Sequence, residues 1–271
     1  MNIFKYQAAG NDFILIRSLQ EKTELAPEKV IQLCDRRFGI GADGLIIMEK
    51  SARHDFSMKF YNNDGSSGMM CGNGGRCIVD LAARSGIKAS GRDGSWTFEA
   101  PDGIHEGRVL SLDGKHSEIR LGMNDVSRVE TVTLPCAPGQ DCTAFHMNTG
   151  TEHLVIFKDS LDGLDIQTEG RKWRYSPLFA PGGVNVNFVQ VCGDGTLRVR
   201  TYERGVEYET LSCGTGIIAS AIASWLRGDH SGKYTLRSTM HTFEVSFSHR
   251  SGKFCDIVID GPVEQVFQAI L

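Results

Sequence analysis

The chain has 271 residues, 41% of them hydrophobic and 23% charged, an ordinary balance for a soluble globular protein with room for one large domain or two moderate ones. A net charge of −4 leaves no basic footprint and argues against a nucleic-acid partner. No stretch approaches the ~20 apolar residues of a membrane span, so no membrane partner is expected either. Residues 1–7 lack the basic-then-apolar pattern of a signal peptide. The eight cysteines, at 34, 71, 77, 136, 142, 192, 213 and 255, show neither a disulfide-framework spacing nor paired zinc knuckles. A reducing cytoplasm is the expected location, with most of these thiols acting as small hydrophobes.

In chain order, residues 13–16 read as a buried strand. Residues 27–37 read as a helix, with Pro27 at its first position, Glu28 in its first turn and Gly39 beyond its end. Residues 44–48 form an apolar strand. Phe56, Met58 and Phe60 alternate with polar neighbours as a half-buried strand. Cys71-Gly72-Asn73-Gly74 then leads into a helix over 75–85, stopped by Gly86. Strands follow around Trp96 and Phe98, around Val109, and across Ile119 and Leu121, separated by turns at Asp102-Gly103 and Asp113-Gly114. Residues 126–140, with two prolines and a glycine, read as a linker.

The second half repeats this order. Gly10, Gly41, Tyr61, Cys71, Thr97 and Gly122 find counterparts in Gly150, Gly183, Tyr202, Cys213, Thr235 and Gly261, at offsets of 138 to 142 residues. Six landmarks in one order imply an internal duplication of units of roughly 120 residues, far too long a period for a solenoid. The expected domains are 1–122 plus 263–271, and 123–262, the tail returning to pack on the first unit. The second cysteine helix, over 217–227, is apolar almost all round and is therefore buried. The predicted class is α+β, with two pseudo-symmetric domains. Each is a barrel-like sheet around a central helix, and the active site is expected in the cleft between them.

Cys71 and Cys213 each stand at a helix N-terminus, where N–H groups and the macrodipole favour a thiolate or a bound carboxylate. One such motif alone would be a turn with a buried cysteine; two in matching context point to chemistry. A prochiral carbanion between two equivalent thiols can lose its proton to one and regain it from the other, which is racemisation or epimerisation by two bases. The N–H groups of Gly72, Asn73, Gly214 and Thr215 would take up charge on the carboxylate. No motif demands a cofactor. Gly39-x-Gly41-x-x-Gly44 matches a dinucleotide fingerprint only formally, because it follows a helix and precedes a strand. A zinc site from Cys71, Cys213 and His153 would quench the thiolates as bases and is not expected.

Asn11-Asp12-Phe13, Asn62-Asn63-Asp64-Gly65-Ser66, Met70-Cys71-Gly72-Asn73-Gly74-Gly75-Arg76-Cys77, Glu203-Arg204-Gly205 and Ser212-Cys213-Gly214-Thr215-Gly216 closely resemble the diaminopimelate epimerase family. The resemblance implies a metal-free, pyridoxal-phosphate-independent enzyme interconverting LL- and meso-diaminopimelate in lysine and cell-wall precursor synthesis, acting as a cytoplasmic homodimer. It implies that Cys71 and Cys213 are the acid/base pair. Asn11, Asn62, Asn73, Asn185, Glu203 and Arg204, with the N–H groups of Gly72, Gly214 and Thr215, would bind substrate, and His153 and Glu203 would tune the thiols. The chain departs from the family pattern at Gly44, where many members carry Gln, and at Thr151-Glu152, where many carry Asn-Pro. These departures keep open a related epimerase for another amino acid. A thiol redox protein using Cys71 and Cys213 is the alternative from a different class.

Overall fold

The computed structural model describes residues 2–20, 22–68, 70–137 and 139–270. Leu271 and Pro138, parts of the expected tail and linker, lie outside the described residues, as does the Cys136 side chain. The chain divides into two compact units, Met1–Met123 with Asp260–Leu271, and Asn124–Ile259. The first contains β1 (Asn2–Ala8), β2 (Asn11–Ser18), α1 (Pro27–Cys34), β3 (Gly44–Glu49), β4 (Phe56–Asn62), α2 (Gly72–Arg84), β5 (Trp96–Ala100), β6 (Gly103–Asp113) and β7 (His116–Gly122). The second contains β8 (Val129–Ala137), β9 (Gln140–Asn148), β10 (Glu152–Phe157), α3 (Ile166–Arg174), β11 (Asn185–Val191), β12 (Leu197–Tyr202), β13 (Glu209–Thr210), α4 (Gly214–Leu226), β14 (Lys233–Arg237) and β15 (Thr242–Arg250). The long last strand, β16 (Lys253–Ile270), begins in the second unit and ends in the first.

In the first unit the strands lie in the order β1-β2-β3-β4-β5-β6-β7-β16. β16 pairs back on β1, with Ile3 opposite Ala269, and so closes an eight-stranded barrel without a free edge. Helix α2 packs against β1, β2, β3, β6 and β7, and its residues from Gly72 to Ala82 are buried. The apolar run of β3 follows from this arrangement. Leu45 and Ile47 cluster with Val30 and Leu33 of α1, while Ile46 lies against Gly74 of α2. A strand covered on both faces needs no polar alternation.

The second unit has the same plan. Its order is β8-β9-β10-β11-β12-β14-β15-β16, and a bridge between Val126 and Phe254 joins the chain before β8 to β16. Parallel pairs require long crossovers. The first unit pairs β2 with β3 and β4 with β5 in parallel, and the helices in those crossovers are α1 and α2. The second pairs β10 with β11 and β12 with β14 in parallel, with α3 and α4 in the matching crossovers. Helix α3 joins Leu154, Ile156, Val186 and Phe188 in one core cluster. Helix α4 packs against β9, β10, β11, β12, β14 and β15. The strand-rich α+β plan with a helix enclosed by strands is thus present in each unit.

Three expectations are corrected. The segment expected as a linker contains β8, antiparallel to β9; its Leu134 is fully buried, and Pro135 stands beside a register shift, where a missing N–H is tolerated. The first helix ends at Cys34 rather than at residue 37, because Asp35 turns extended and its carboxylate takes the N–H groups of Arg37 and Phe38. The cysteine helices begin at Gly72 and Gly214, three residues earlier than propensity suggests, each with the cysteine itself as N-cap. Cys34, Cys71, Cys77, Cys192, Cys213 and Cys255 are not in disulfides, whereas Cys142 is disulfide-bonded.

Candidate active site

The two cysteines occupy equivalent backbone positions. Cys71 has φ −103° and ψ 126°, and Cys213 has φ −124° and ψ 108°; neither side chain makes a capping hydrogen bond to its helix. The sulfur is therefore not consumed in holding the helix together. Each cysteine carbonyl instead accepts the first helical bond, from Gly75 N at 2.7 Å and from Ile217 N at 2.9 Å. The N–H groups of the next three residues in each helix point toward its N-terminal end, next to the sulfur. This geometry favours negative charge there.

In the first unit Asn11 lies beside Cys71, its Oδ1 3.7 Å from Sγ. Asn73 Nδ2 reaches the same oxygen at 3.4 Å, and the fully buried Arg76 donates to Asn73 Oδ1 at 2.7 Å. Asn11 Nδ2 donates to Asp43 at 2.7 Å, and Asp43 also meets Arg36 at 2.7 Å. Burial pushes the neighbouring Asp12 carboxyl up, but hydrogen bonds from Arg36 and Lys5 outweigh it and hold its pKa at about 2. Asn62 closes a turn, its N–H on Ser66 O and its Nδ2 on Ser66 Oγ, both at 2.9 Å. The pattern at Gly44 is explained by space: a Cβ there would lie 2.9 Å from Tyr61 O and 3.1 Å from Phe60.

In the second unit Cys213 is buried, with Sγ 3.5 Å from Thr215 Oγ1. His153, on β10, is fully buried, and its Nε2 lies 2.9 Å from Thr215 Oγ1 and 2.9 Å from Thr151 Oγ1. Burial, and secondarily the charges of Arg204 and His146, lowers its pKa to about 3, so the ring is neutral at pH 7. Asn185 is engaged within the protein. Its Nδ2 donates to Thr151 Oγ1 and Glu152 O, both at 3.0 Å, and its Oδ1 accepts Arg204 N at 2.8 Å. The half-buried Arg204 reaches the carbonyls of Gly182 and Gly183 at 3.4 Å. Glu203, half-buried beside it, anchors the same turn through its backbone to Tyr208 and Glu207.

Within the first unit the structure thus gathers Asn11, Asn73 and the N-cap Cys71, with Asn62 in a turn at the end of β4. Within the second it gathers Cys213, Thr215, His153, Asn185 and Arg204. The sequence reading gave no role to Asp43, Arg76, Thr149 or Asn187, and named Thr151 only as a departure from the family pattern. Thr149 Oγ1 donates to Thr215 O at 2.8 Å. Asn187 sits two residues beyond Asn185 on one strand, and period-two spacing alone places both on one face. Among the described residues no group of three or more His, Cys, Asp or Glu side chains is arranged to hold a metal ion, and no helix is long and apolar enough to cross a membrane.

A sequence model of the family described as diaminopimelate epimerase matches residues 3–129 and 145–264. A diaminopimelate epimerase of Flavobacterium psychrophilum is 41% identical over 276 residues, covering 100% of both chains. One of Chlorobaculum tepidum is 37% identical over 266 residues, covering 97% of this chain and 98% of its own. The solved structure of a PhzF-family phenazine biosynthesis protein from Bacillus anthracis matches with a TM-score of 0.71 at 15% identity, covering 100% of this chain and 99% of that one, and bears on the fold alone. These relatives make this protein an isomerase of the racemase and epimerase class. Within that class, the chain belongs to the diaminopimelate epimerase family.

Proposed function

We propose that this protein epimerises LL-2,6-diaminopimelate to meso-diaminopimelate without a cofactor, as a step toward lysine and peptidoglycan precursors. The observation that carries this reading is the equivalence of Cys71 and Cys213, two thiols outside any disulfide at the N-caps of buried helices in units of one topology. The full-length similarity to diaminopimelate epimerases supports the substrate.

In this scheme the thiolate of one cysteine removes the α-proton, and the thiol of the other delivers a proton to the opposite face of the same carbon. Charge that develops on the α-carboxylate is taken up by the N–H groups of Gly72, Asn73, Gly214 and Thr215. Asn11, Asn62, Asn73, Asn185, Glu203 and Arg204 hold the substrate, and His153 and Glu203 tune the thiols. Most of these amides are fixed by protein partners before substrate arrives, which lowers the cost of orienting it. The same reading takes the protein to be a homodimer of the cytoplasm, which light scattering and cell fractionation would check.

Proton NMR of LL-diaminopimelate with reduced enzyme in D2O tests the proposal. Loss of one α-proton signal with appearance of the meso form is expected. Exchange with another amino acid but not this one would keep the chemistry and move the substrate, the reading that Gly44 and Thr151-Glu152 favour. No exchange with any amino acid, together with a functional need for oxidised thiols, would replace the scheme with a redox role.

A further inference from the structure

The second unit holds a buried polar chain that ends on Cys213, and its direction as far as His153 follows from its fixed end at Leu154 O. Leu154 O is a carbonyl that only accepts, so the Asn187 group 3.2 Å from it is the amide nitrogen. Asn187 Oδ1 correspondingly takes the Thr201 hydroxyl at 2.9 Å. The same Asn187 Nδ2 lies 3.1 Å from His153 Nδ1. An amide nitrogen donates and does not accept, so His153 Nδ1 carries no proton. The ring is neutral, and its single proton is therefore on Nε2. Nε2 faces Thr215 Oγ1 and Thr151 Oγ1, both at 2.9 Å. Thr151 Oγ1 already accepts from Asn185 Nδ2 and lies 3.4 Å from Thr215 Oγ1. With His153 donating to it, the Thr215 oxygen keeps its own proton for another acceptor, and Cys213 Sγ stands 3.5 Å away.

We propose that Asn187, His153 and Thr215 form a positioning chain that turns the Thr215 hydroxyl proton onto the Cys213 sulfur and so stabilises its thiolate. No proton travels along the chain; each member fixes the polarity of the next. Hydrogen bonds to an ionised acceptor are stronger than neutral ones, more so in a buried setting. Burial, and secondarily the Arg204 charge, oppose a second proton on the ring and so preserve the direction. Asn187 is held in place by the close approach of α4: a Cβ on Gly216 would lie 2.3 Å from Asn187 Oδ1. Asn187 and the Thr215 hydroxyl thereby gain roles beyond the N–H contact assigned to Thr215 above, and the inference rests on the reading of Cys213 as an acid/base thiol.

Two measurements test it. Long-range proton–nitrogen spectra of ¹⁵N-histidine-labelled enzyme should show His153 as the Nε2–H tautomer; the Nδ1–H tautomer would overturn the chain. The pH profile of iodoacetamide alkylation at Cys213, read on its own peptide by mass spectrometry, should shift upward by about one unit or more in Thr215→Val. Thr215→Ser, which keeps the hydroxyl, should restore the wild-type midpoint. An unchanged midpoint in Thr215→Val, with Cys213→Ser inactive, overturns this proposal alone. A Cys213→Ser enzyme that still epimerises overturns the underlying reading instead.

Discussion

Asp43 fixes which way the Asn11 amide faces. Asn11 Nδ2 donates to Asp43 Oδ2 at 2.7 Å, so the oxygen of the amide is turned toward Cys71 Sγ, 3.7 Å away. Asp43 is held in turn by Arg36, which also grips Asp12 through both carboxylate oxygens, at 3.0 and 2.7 Å. Asp43 thus orients a side chain that lies beside Cys71. Asp43→Ala should leave the fold intact and release the amide. A loss of about 10-fold or more in kcat/KM is expected, because small misplacements of positioning groups are costly. Steady-state kinetics beside Asn11→Ala would show it; full activity in Asp43→Ala would mean that Asn11 needs no orienting.

The two-thiol scheme makes a symmetrical prediction. Cys71→Ser and Cys213→Ser should each lower turnover by about 10²- to 10⁴-fold, the usual worth of a positioned acid or base. Circular dichroism should be unchanged, because neither sulfur caps its helix. Normal turnover in either variant would end the scheme.

Acid should weaken the first unit through Asp12. Its folded pKa of about 2 lies below the ordinary 3.8, so the stabilisation is present above pH 4 and is lost as pH falls toward 2. Asp12→Asn should be less stable than wild type at pH 7, and the gap should narrow across that window. Urea titrations at a series of pH values would measure it; a gap independent of pH would show that the ion pairs with Lys5 and Arg36 do not carry the effect.

His153 gives the opposite end of the same linkage. Its folded pKa is lowered to about 3 from an ordinary 6.5. Below pH 6.5 the unfolded chain takes up a proton that the buried ring refuses, so stability falls as pH drops from 6.5 toward 3, by up to about 1.4 kcal/mol per pH unit. His153→Gln removes this proton uptake. Its stability relative to wild type should therefore improve steadily below pH 6.5, and parallel curves would refute a neutral buried His153.

Much of this was legible in the sequence. The repeat of landmarks from Gly10 to Gly261 reflects a repeated topology, so it survives in matched positions: turn glycines, the N-cap cysteines and corresponding residues of paired strands. The strand at Val129–Ala137 was not legible, because two prolines and a glycine outweighed the buried position of Leu134. Residues acting through others were equally hidden. Asp43 acts on Asn11 from 32 positions away in sequence, and nothing local marks it as part of the site; Arg76 lies within the first cysteine motif, but its contact with Asn73 shows only in the fold. Asn187 carried a signal, its spacing from Asn185, but a polar residue in an apolar strand reads as strand patterning until the facing histidine is seen.

The glycines of the two cysteine motifs offer a last test, since helix propensity and packing there predict different outcomes. In a helix, Gly→Ala gains roughly 1 kcal/mol on propensity alone. At Gly72 nothing opposes it: the added Cβ would sit 3.8 Å from Met123, an ordinary contact. At Gly216 the Cβ would lie 2.3 Å from Asn187 Oδ1, an atom that already accepts the Thr201 hydroxyl inside a buried network. Overpacking costs about 1–3 kcal/mol, and a displaced Asn187 would strand buried partners at about 1–3 kcal/mol more. Gly72→Ala should therefore be neutral or more stable in chemical denaturation, and Gly216→Ala less stable by about 1 kcal/mol or more. Equal stability of the two variants would show that α4 can shift away from β11, and that the close approach of Gly216 to Asn187 is not what dictates glycine at that position.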